Sequence, residues 1–342
     1  VRYRPLGDSG IPASVVAFGA WAIGGGPWWG PTDDAESVRA IHAALDAGVT
    51  LIDTAPVYGF GHSEEIVGRA IAGRRDRVVI ATKCGLWWGD ETGTPFFEQL
   101  GRTVRRSLDP RTIRVEVEAS LRRLGSEYID VLQTHKQAVE PFKTPIADTM
   151  ACLEKLKAEG KIRAIGASTA TPAQLDEYRA AGTLSVCQPR YSLLDRRIEA
   201  DVLPYCAAHG IATLVYSPLE QGLLTGRIGL DYTPPPGSFR HTLPWLKPGN
   251  RRRVLDLLAS WGDLTATYSC SLAQLVIAAT VQQAGVTHAL CGARTVAQAL
   301  DNAGAGDLVL ADADLARIRR DVEALGDPLP ERATTTAAAG SL

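Results

Sequence analysis

The chain has 342 residues, 45% of them hydrophobic, and a formal net charge of −2. That length accommodates one large domain or two average ones with a sizeable core, and the near-neutral charge, with no long basic run, excludes a nucleic-acid surface. No apolar stretch approaches the ~18 residues a membrane span requires, no charged-then-apolar leader is read at the start, and six scattered cysteines with no Cys-x-x-Cys pair fit reduced thiols, so a cytoplasmic location is expected.

Residues 2–13 predict a small hairpin turning at Asp8-Ser9-Gly10. A buried strand follows at 15–19, then a helix over 34–47 stopped by Gly48. The second strand, 50–53, runs into Asp53-Thr54-Ala55-Pro56-Val57-Tyr58-Gly59. A helix over 63–72 opens on Ser63-Glu64-Glu65, a cap followed by first-turn acids. The third strand, 78–83, ends on Thr82-Lys83-Cys84 and leads into a long loop at 84–109. The helix over 111–124 puts Ile113, Val117, Leu121 and Leu124 on one stripe, with Asp109-Pro110 before it and Gly125 behind. The fourth strand, 129–135, ends on Gln133-Thr134-His135. Helices over 145–159, 172–181 and 199–209 alternate with strands at 164–168, 185–190 and 212–217. A second long loop covers 218–250, with Arg251-Arg252-Arg253 read as an exposed helix start. Ser271-x-x-Gln274 is a capping box ahead of a helix over 275–281, and the eighth strand is 287–291. The expected organisation is one domain over 1–330 and a frayed tail over 331–342.

Strands alternating with helices predict a parallel sheet with crossover helices. Eight strands suit a closed (β/α)8 barrel, with the hairpin before it and long loops after strands three and seven. An open doubly wound sheet is the alternative. It usually carries Gly-x-Gly-x-x-Gly at its first turn, a spacing that Gly24-Gly25-Gly26 does not match. In a barrel both long loops lie on the face where strands end, the usual catalytic face.

Asp53, Tyr58, Lys83 and His135 then sit at the same ends of neighbouring strands. Singly, each has an ordinary reading: a cap, a rim aromatic, a snorkelling amine, a satisfied polar group. Their coincidence points to carbonyl reduction. A carbonyl accepts hydride only if its oxygen receives a proton or strong hydrogen bonds as charge develops. A free phenol, with a pKa near ~10, is a poor acid at neutral pH, and a nearby ammonium draws that value down. Lys83 is expected to do this for Tyr58. Asp53 is the carboxylate that keeps a buried lysine charged, and His135 supplies a second hydrogen bond or relays a proton. No His, Cys and carboxylate spacing suggests a metal site.

These motifs identify the chain as resembling the aldo-keto reductases from Ala13 to about Ala324. The matching segments are Leu51 to Gly68 with Asp53, Tyr58, Ser63 and Glu64, Ala81-Thr82-Lys83, Glu116 to Gly125, Tyr128-Ile129-Asp130, and Tyr216 to Gly226. The nearest resemblance is to a bacterial branch of inositol-locus and stress-associated reductases. The resemblance implies a (β/α)8 barrel, an NADPH/NADP+ cofactor lying over the C-terminal barrel face, and Tyr58 as the acid. It implies that Tyr216 stacks on the nicotinamide, that Ser168 and Gln188 hold its carboxamide, and that Trp21 also contacts the cofactor. Ser217, Leu219, Gln221, Gly222 and Leu223 would line the pyrophosphate path, with Arg227 balancing its charge. Gly292, Arg294, Gln298, Asp301 and Asn302 would meet the adenosine end, and Arg294 and Arg240 the 2′-phosphate.

Three positions depart from the family pattern: Thr169 where many members have Asn, Asp301 where many have Glu, and Lys136 where many have an aromatic. The missing ring is expected from Trp87 or Trp88. Trp21, Trp28, Trp29, Trp87 and Trp88 lie in loops after strands one and three and suit sugars, cyclitols or polycyclic ketones. Lys136, Glu140 and Arg190 are candidates for a hydroxyl or a charged handle. The expected partner is a small-molecule carbonyl compound. Two other readings stay open: an NADP-binding sensor of the potassium-channel β-subunit type, and an enzyme that runs as an alcohol dehydrogenase.

Overall fold

In the computed structural model, which describes residues 1–330, the expected frayed tail lies outside the described residues. A hairpin pairs β1 (Tyr3–Pro5) with β2 (Pro12–Ser14), and Gly10 takes the left-handed conformation its turn requires. The next strands are β3 (Val16–Gly19), β4 (Leu51–Asp53) and β5 (Val79–Cys84). After three short strands, β6 (Leu86–Trp87), β7 (Thr94–Gln99) and β8 (Arg102–Arg106), come β9 (Ile129–Thr134), β10 (Ile162–Ser168), β11 (Val186–Gln188), β12 (Ala212–Tyr216) and β13 (His288–Gly292). The strands β3, β4, β5, β9, β10, β11, β12 and β13 pair in parallel, in that order, and close on themselves. This is the (β/α)8 barrel, not the open sheet.

Strand side chains alternate between faces, and the alternation divides the barrel interior into two levels. Ala17, Leu51, Val79, Ala81, Val131, Ala164, Val186, Ala212, Leu214 and Leu290 form one interior cluster with Leu6, Ile11 and Ala13 of the hairpin. The hairpin therefore stoppers the N-terminal end with apolar side chains. Two residues further along their strands, Asp53, Lys83, Gln133 and Gln188 occupy the next inward positions, and all four are buried. The apolar floor and polar top layer are thus successive turns of one period-two pattern. Outward residues such as Ile52, Ile80, Leu132 and Ile165 pack under the helices.

The helix Pro110–Leu124 starts on the Asp109 cap and stops at left-handed Gly125, and Ser271 and Gln274 form a reciprocal capping box before Leu272–Gln282. Other readings change. Ser63 is not a cap: its hydroxyl meets Thr54 and the Ala20 carbonyl, while Gly61 precedes the helix His62–Ile71. Arg251 is buried, not exposed, because its guanidinium donates to the carbonyls of Leu230 and Tyr232 and fastens the second long loop. The 84–109 segment is a three-stranded antiparallel sheet, β6-β8-β7, rather than an irregular loop. Helices Val296–Gly304 and Asp312–Leu325 complete the outer ring. Among the described residues no helix is long and apolar enough to cross a membrane.

Candidate active site

β4 ends on Asp53, and the chain then turns sharply, with the Tyr58 N–H donating to the Ala55 carbonyl. Two glycines fix where Tyr58 lands. A Cβ at Gly59, whose φ is +66°, would lie 2.3 Å from the Gly24 carbonyl oxygen, and one at Gly24 would lie 2.8 Å from the Tyr58 carbonyl carbon. The loop after β3 and the loop carrying Tyr58 therefore touch backbone to backbone. Parallel pairing sets Lys83 of β5 opposite Gln133 of β9, and the His135 N–H extends that ladder by donating to the Cys84 carbonyl.

Lys83 Nζ donates to Asp53 Oδ1 at 2.6 Å and to the Thr54 carbonyl at 2.8 Å. The other carboxylate oxygen, Oδ2, accepts from Gln188 Nε2 at 2.7 Å and Gln133 Nε2 at 3.3 Å. Lys83 Nζ stands 5.0 Å from the centroid of the Tyr58 ring, and the Tyr58 and His135 rings are 5.8 Å apart, edge to face. The four residues predicted from sequence thus converge.

The electrostatics differ from the expectation. Burial, followed by the charge of Asp53 and the neighbouring Tyr216, pushes the Tyr58 phenol well above its ordinary value. Lys83 does not draw it down in this geometry, because its charge is compensated at 2.6 Å by Asp53. Burial lowers Lys83 while Asp53 raises it. Burial and the cations of Lys83 and Lys136 hold His135 well below the usual imidazole range. At neutral pH the site presents a protonated phenol and a neutral imidazole, two hydrogen-bond donors at one spot.

These groups open onto a cavity of about 470 Å³ lined by Asp53, Tyr58 and His135 and by most of the residues expected to hold a cofactor. Trp21, Ser168, Gln188, Tyr216, Ser217, Leu219, Gln221, Gly222, Arg227, Arg240, Gly292, Arg294, Gln298, Asp301 and Asn302 all line it. Leu223 does not: it is fully buried in the outer core. Many of the lining groups bond to one another. Gln221 Nε2 donates to Ser217 Oγ at 2.8 Å, Gln298 Oε1 accepts from the Arg294 N–H at 2.8 Å, and Asn302 Nδ2 donates to the Gly292 carbonyl at 3.1 Å. Ser217, Glu220 and Gln221 all have positive φ, a sparsely populated conformation for residues other than glycine that recurs at ligand-binding turns. Arg294 donates to the carbonyls of Trp29 and Pro31, and Arg240 to the Tyr232 hydroxyl and the Gln221 carbonyl. An elongated wall of amides, hydroxyls and guanidinium groups, starting beside a protonated phenol, fits a dinucleotide.

The aromatic walls are only partly those expected. Trp21 packs on Trp28, Trp29 and Phe239, and Trp28 meets Phe97 at 5.2 Å, so three loops join over the cavity. Trp87 and Trp88 are not part of the lining. Trp87 Nε1 donates to Asp90 at 2.7 Å and Trp88 meets Phe60 edge to face. Leu86, Phe96 and Phe97 of the small sheet line the cavity in their place. Lys136 lines the rim and donates to Thr169 Oγ1 at 3.1 Å. Arg190 is held by Glu220 and Asp195, and neither it nor Glu140 lines the cavity. Gln133 was not singled out from sequence as an Asp53 partner. The period-two spacing from His135 was the available signal.

The model of the Aldo/keto reductase family matches residues 15–323. An NADH-specific methylglyoxal reductase of Escherichia coli (strain K12) is 45% identical over 94% of this chain and 98% of its own length. The structure of a glycerol dehydrogenase from Gluconobacter oxydans superposes with a TM-score of 0.83 at 40% identity, covering 98% of both chains. An aldo/keto reductase from Klebsiella pneumoniae, solved in complex with NADP and acetate, superposes with a TM-score of 0.70 at 27% identity over 97% of this chain and 98% of that one.

Proposed function

The chain belongs to the aldo/keto reductase family, a family of nicotinamide-dependent oxidoreductases, and from that premise we propose that it reduces an aldehyde or ketone to an alcohol with NADPH, using Tyr58 as general acid. The bound cofactor supplies the hydride. Tyr58 donates its phenolic proton to the carbonyl oxygen as negative charge develops there. Neutral His135 donates an N–H to the same oxygen and orients it. Asp53 and Lys83 hold the floor of the site, with the Asp53 carboxylate tied by Lys83, Gln133 and Gln188. The observation that carries this reading is the convergence of Tyr58, His135 and the Asp53–Lys83 pair at the mouth of the cavity.

The preference for NADPH rests on Arg294 and Arg240. Their guanidinium groups repel each other, and among the described residues neither pairs with a carboxylate, so a phosphate is their missing complement. The named relatives differ in cofactor: one is called NADH-specific and another was solved with NADP. The walls formed by Trp21, Trp28 and Trp29 suit the C–H face of a sugar, a cyclitol or a polycyclic ketone. A relative named glycerol dehydrogenase favours alcohol oxidation as a second direction for the same residues.

The test is steady-state cofactor oxidation by the purified protein with a panel of aldehydes and ketones, using NADPH and NADH in turn. The reading requires turnover and at least about tenfold higher kcat/KM with NADPH, a margin of about 1.4 kcal/mol. Arg294→Ala should erase that margin. Equal efficiency with both cofactors removes the 2′-phosphate assignment, and tight cofactor binding with no turnover favours a sensor.

A further inference from the structure

Resting on the reductase reading above, we propose that the carbonyl substrate carries an anionic group, carboxylate or phosphate, held at the rim of the cavity by Lys136 and Arg106. Lys136 follows the candidate hydrogen-bond donor His135 directly and lines the cavity. Its Nζ has one hydrogen-bond partner, the neutral Thr169 hydroxyl at 3.1 Å. Among the described residues no carboxylate pairs with it.

Arg106, on the small sheet, does not itself line the cavity but stands against residues that do. The β6–β8 register sets Arg106 beside Leu86, and cross-strand neighbours point to the same face. Leu86 lines the cavity, and Val104, two residues before Arg106 on the same face, packs with Leu86 and Val57. The Arg106 guanidinium lies 4.0 Å over the Phe96 ring, and Phe96 also lines the cavity. Among the described residues the Arg106 guanidinium has no hydrogen bond or ion pair, and its Nε is buried without a partner. The other arginines near the site each have at least one guanidinium partner, Arg190 with Glu220, Arg240 with Gln221 and Tyr232, and Arg294 with backbone carbonyls, although the Nε atoms of Arg190 and Arg240 are also buried without a hydrogen bond.

The two cations are close enough to repel each other, and with burial this lowers Lys136 from the usual lysine range. Two unneutralised charges converging on an apolar, partly buried rim are unfavourable unless an anion joins them. That anion would lie beside the carbonyl held by Tyr58 and His135. A purely structural Lys136 would serve only to orient Thr169.

Paired substrates test this. Initial rates are compared for 4-oxobutanoate against its methyl ester, and for glyceraldehyde 3-phosphate against glyceraldehyde. The expected result is at least about tenfold higher kcat/KM for the anionic member of one pair at low salt, shrinking at high ionic strength. Which pair shows it separates carboxylate from phosphate. Lys136→Met and Arg106→Met should each cut the anionic-to-neutral ratio about fivefold or more, while Lys136→Arg keeps it. As a readout independent of turnover, succinate or inorganic phosphate should bind the parent more tightly than either Met variant by calorimetry. Turnover of the neutral members with no anion preference overturns this inference alone, as does a preference that survives both Met substitutions. Absence of turnover on all four compounds overturns the reductase reading and this inference with it.

Discussion

Lys83 Nζ lies 5.0 Å from the centroid of the Tyr58 ring, twice as far as the Asp53 oxygen it touches at 2.6 Å. From the phenol, the lysine and the aspartate together look like a dipole, not a bare cation. The phenol keeps its proton because it is buried beside that carboxylate. In the proposed reduction the pair would preserve the acid rather than activate a base.

A pH dependence follows, with its sign set by Tyr58. Reduction needs the protonated phenol. Because the folded phenol titrates above its ordinary ~10, kcat for reduction should stay level from pH ~6 to ~9 and fall only beyond that. His135 adds no step in this window, since it is already neutral. Alcohol oxidation needs the phenolate and should keep rising with pH over the same interval. Rates in both directions, measured across that range, check this. A reduction limb falling with a midpoint near neutrality would mean that bound cofactor or another group resets the phenol.

Breaking the buried pair should be costly. Lys83→Met leaves the Asp53 carboxylate buried without its cation, a loss of about 3–5 kcal/mol. Asp53→Asn should cost a similar amount. The two together should cost clearly less than their sum, because each single variant leaves one buried charge unpaired and the double variant leaves none. Thermal midpoints of the parent, both single variants and the double variant read the coupling. Additive losses would show that the pair is not the unit of stability.

Gly59 offers a test of placement without touching any side chain of the site. Its Cβ would collide with the Gly24 carbonyl at 2.3 Å, and its φ of +66° disfavours any other residue. Gly59→Ala should lower stability by about 1–3 kcal/mol and cut kcat by about a hundredfold through displacement of Tyr58. Gly10→Ala, also at positive φ but with open space around it, should cost stability and leave kcat alone. Equal effects on kcat would separate the Gly24–Gly59 contact from catalysis.

Much of this was legible in the chain. Runs such as Val79–Cys84 and Ile129–Thr134 are buried throughout, with apolar inward residues until Lys83 and Gln133, so both strand and site signals lie in the same few positions. The small sheet escaped because Thr94–Gln99 and Arg102–Arg106 are short and mostly half-buried or exposed, and only Val104 in them is fully buried, so no core period reveals them. That omission also misassigned the aromatic wall. Trp87 and Trp88 are the conspicuous residues of the segment, but the sheet's register turns Leu86 and Phe97 inward and gives Trp87 to Asp90. The direction of the phenol's shift was equally hidden. It depends on 2.6 Å against 5.0 Å, a difference no spacing in sequence encodes.

The most direct test is single-turnover hydride transfer in Tyr58→Phe, at saturating NADPH and aldehyde, with cofactor affinity measured alongside. The account predicts a rate lowered by about 10²–10⁴ with the cofactor Kd nearly unchanged. A transfer rate within about tenfold of the parent protein's would contradict it, because the proton would then be coming from somewhere other than the Tyr58 hydroxyl.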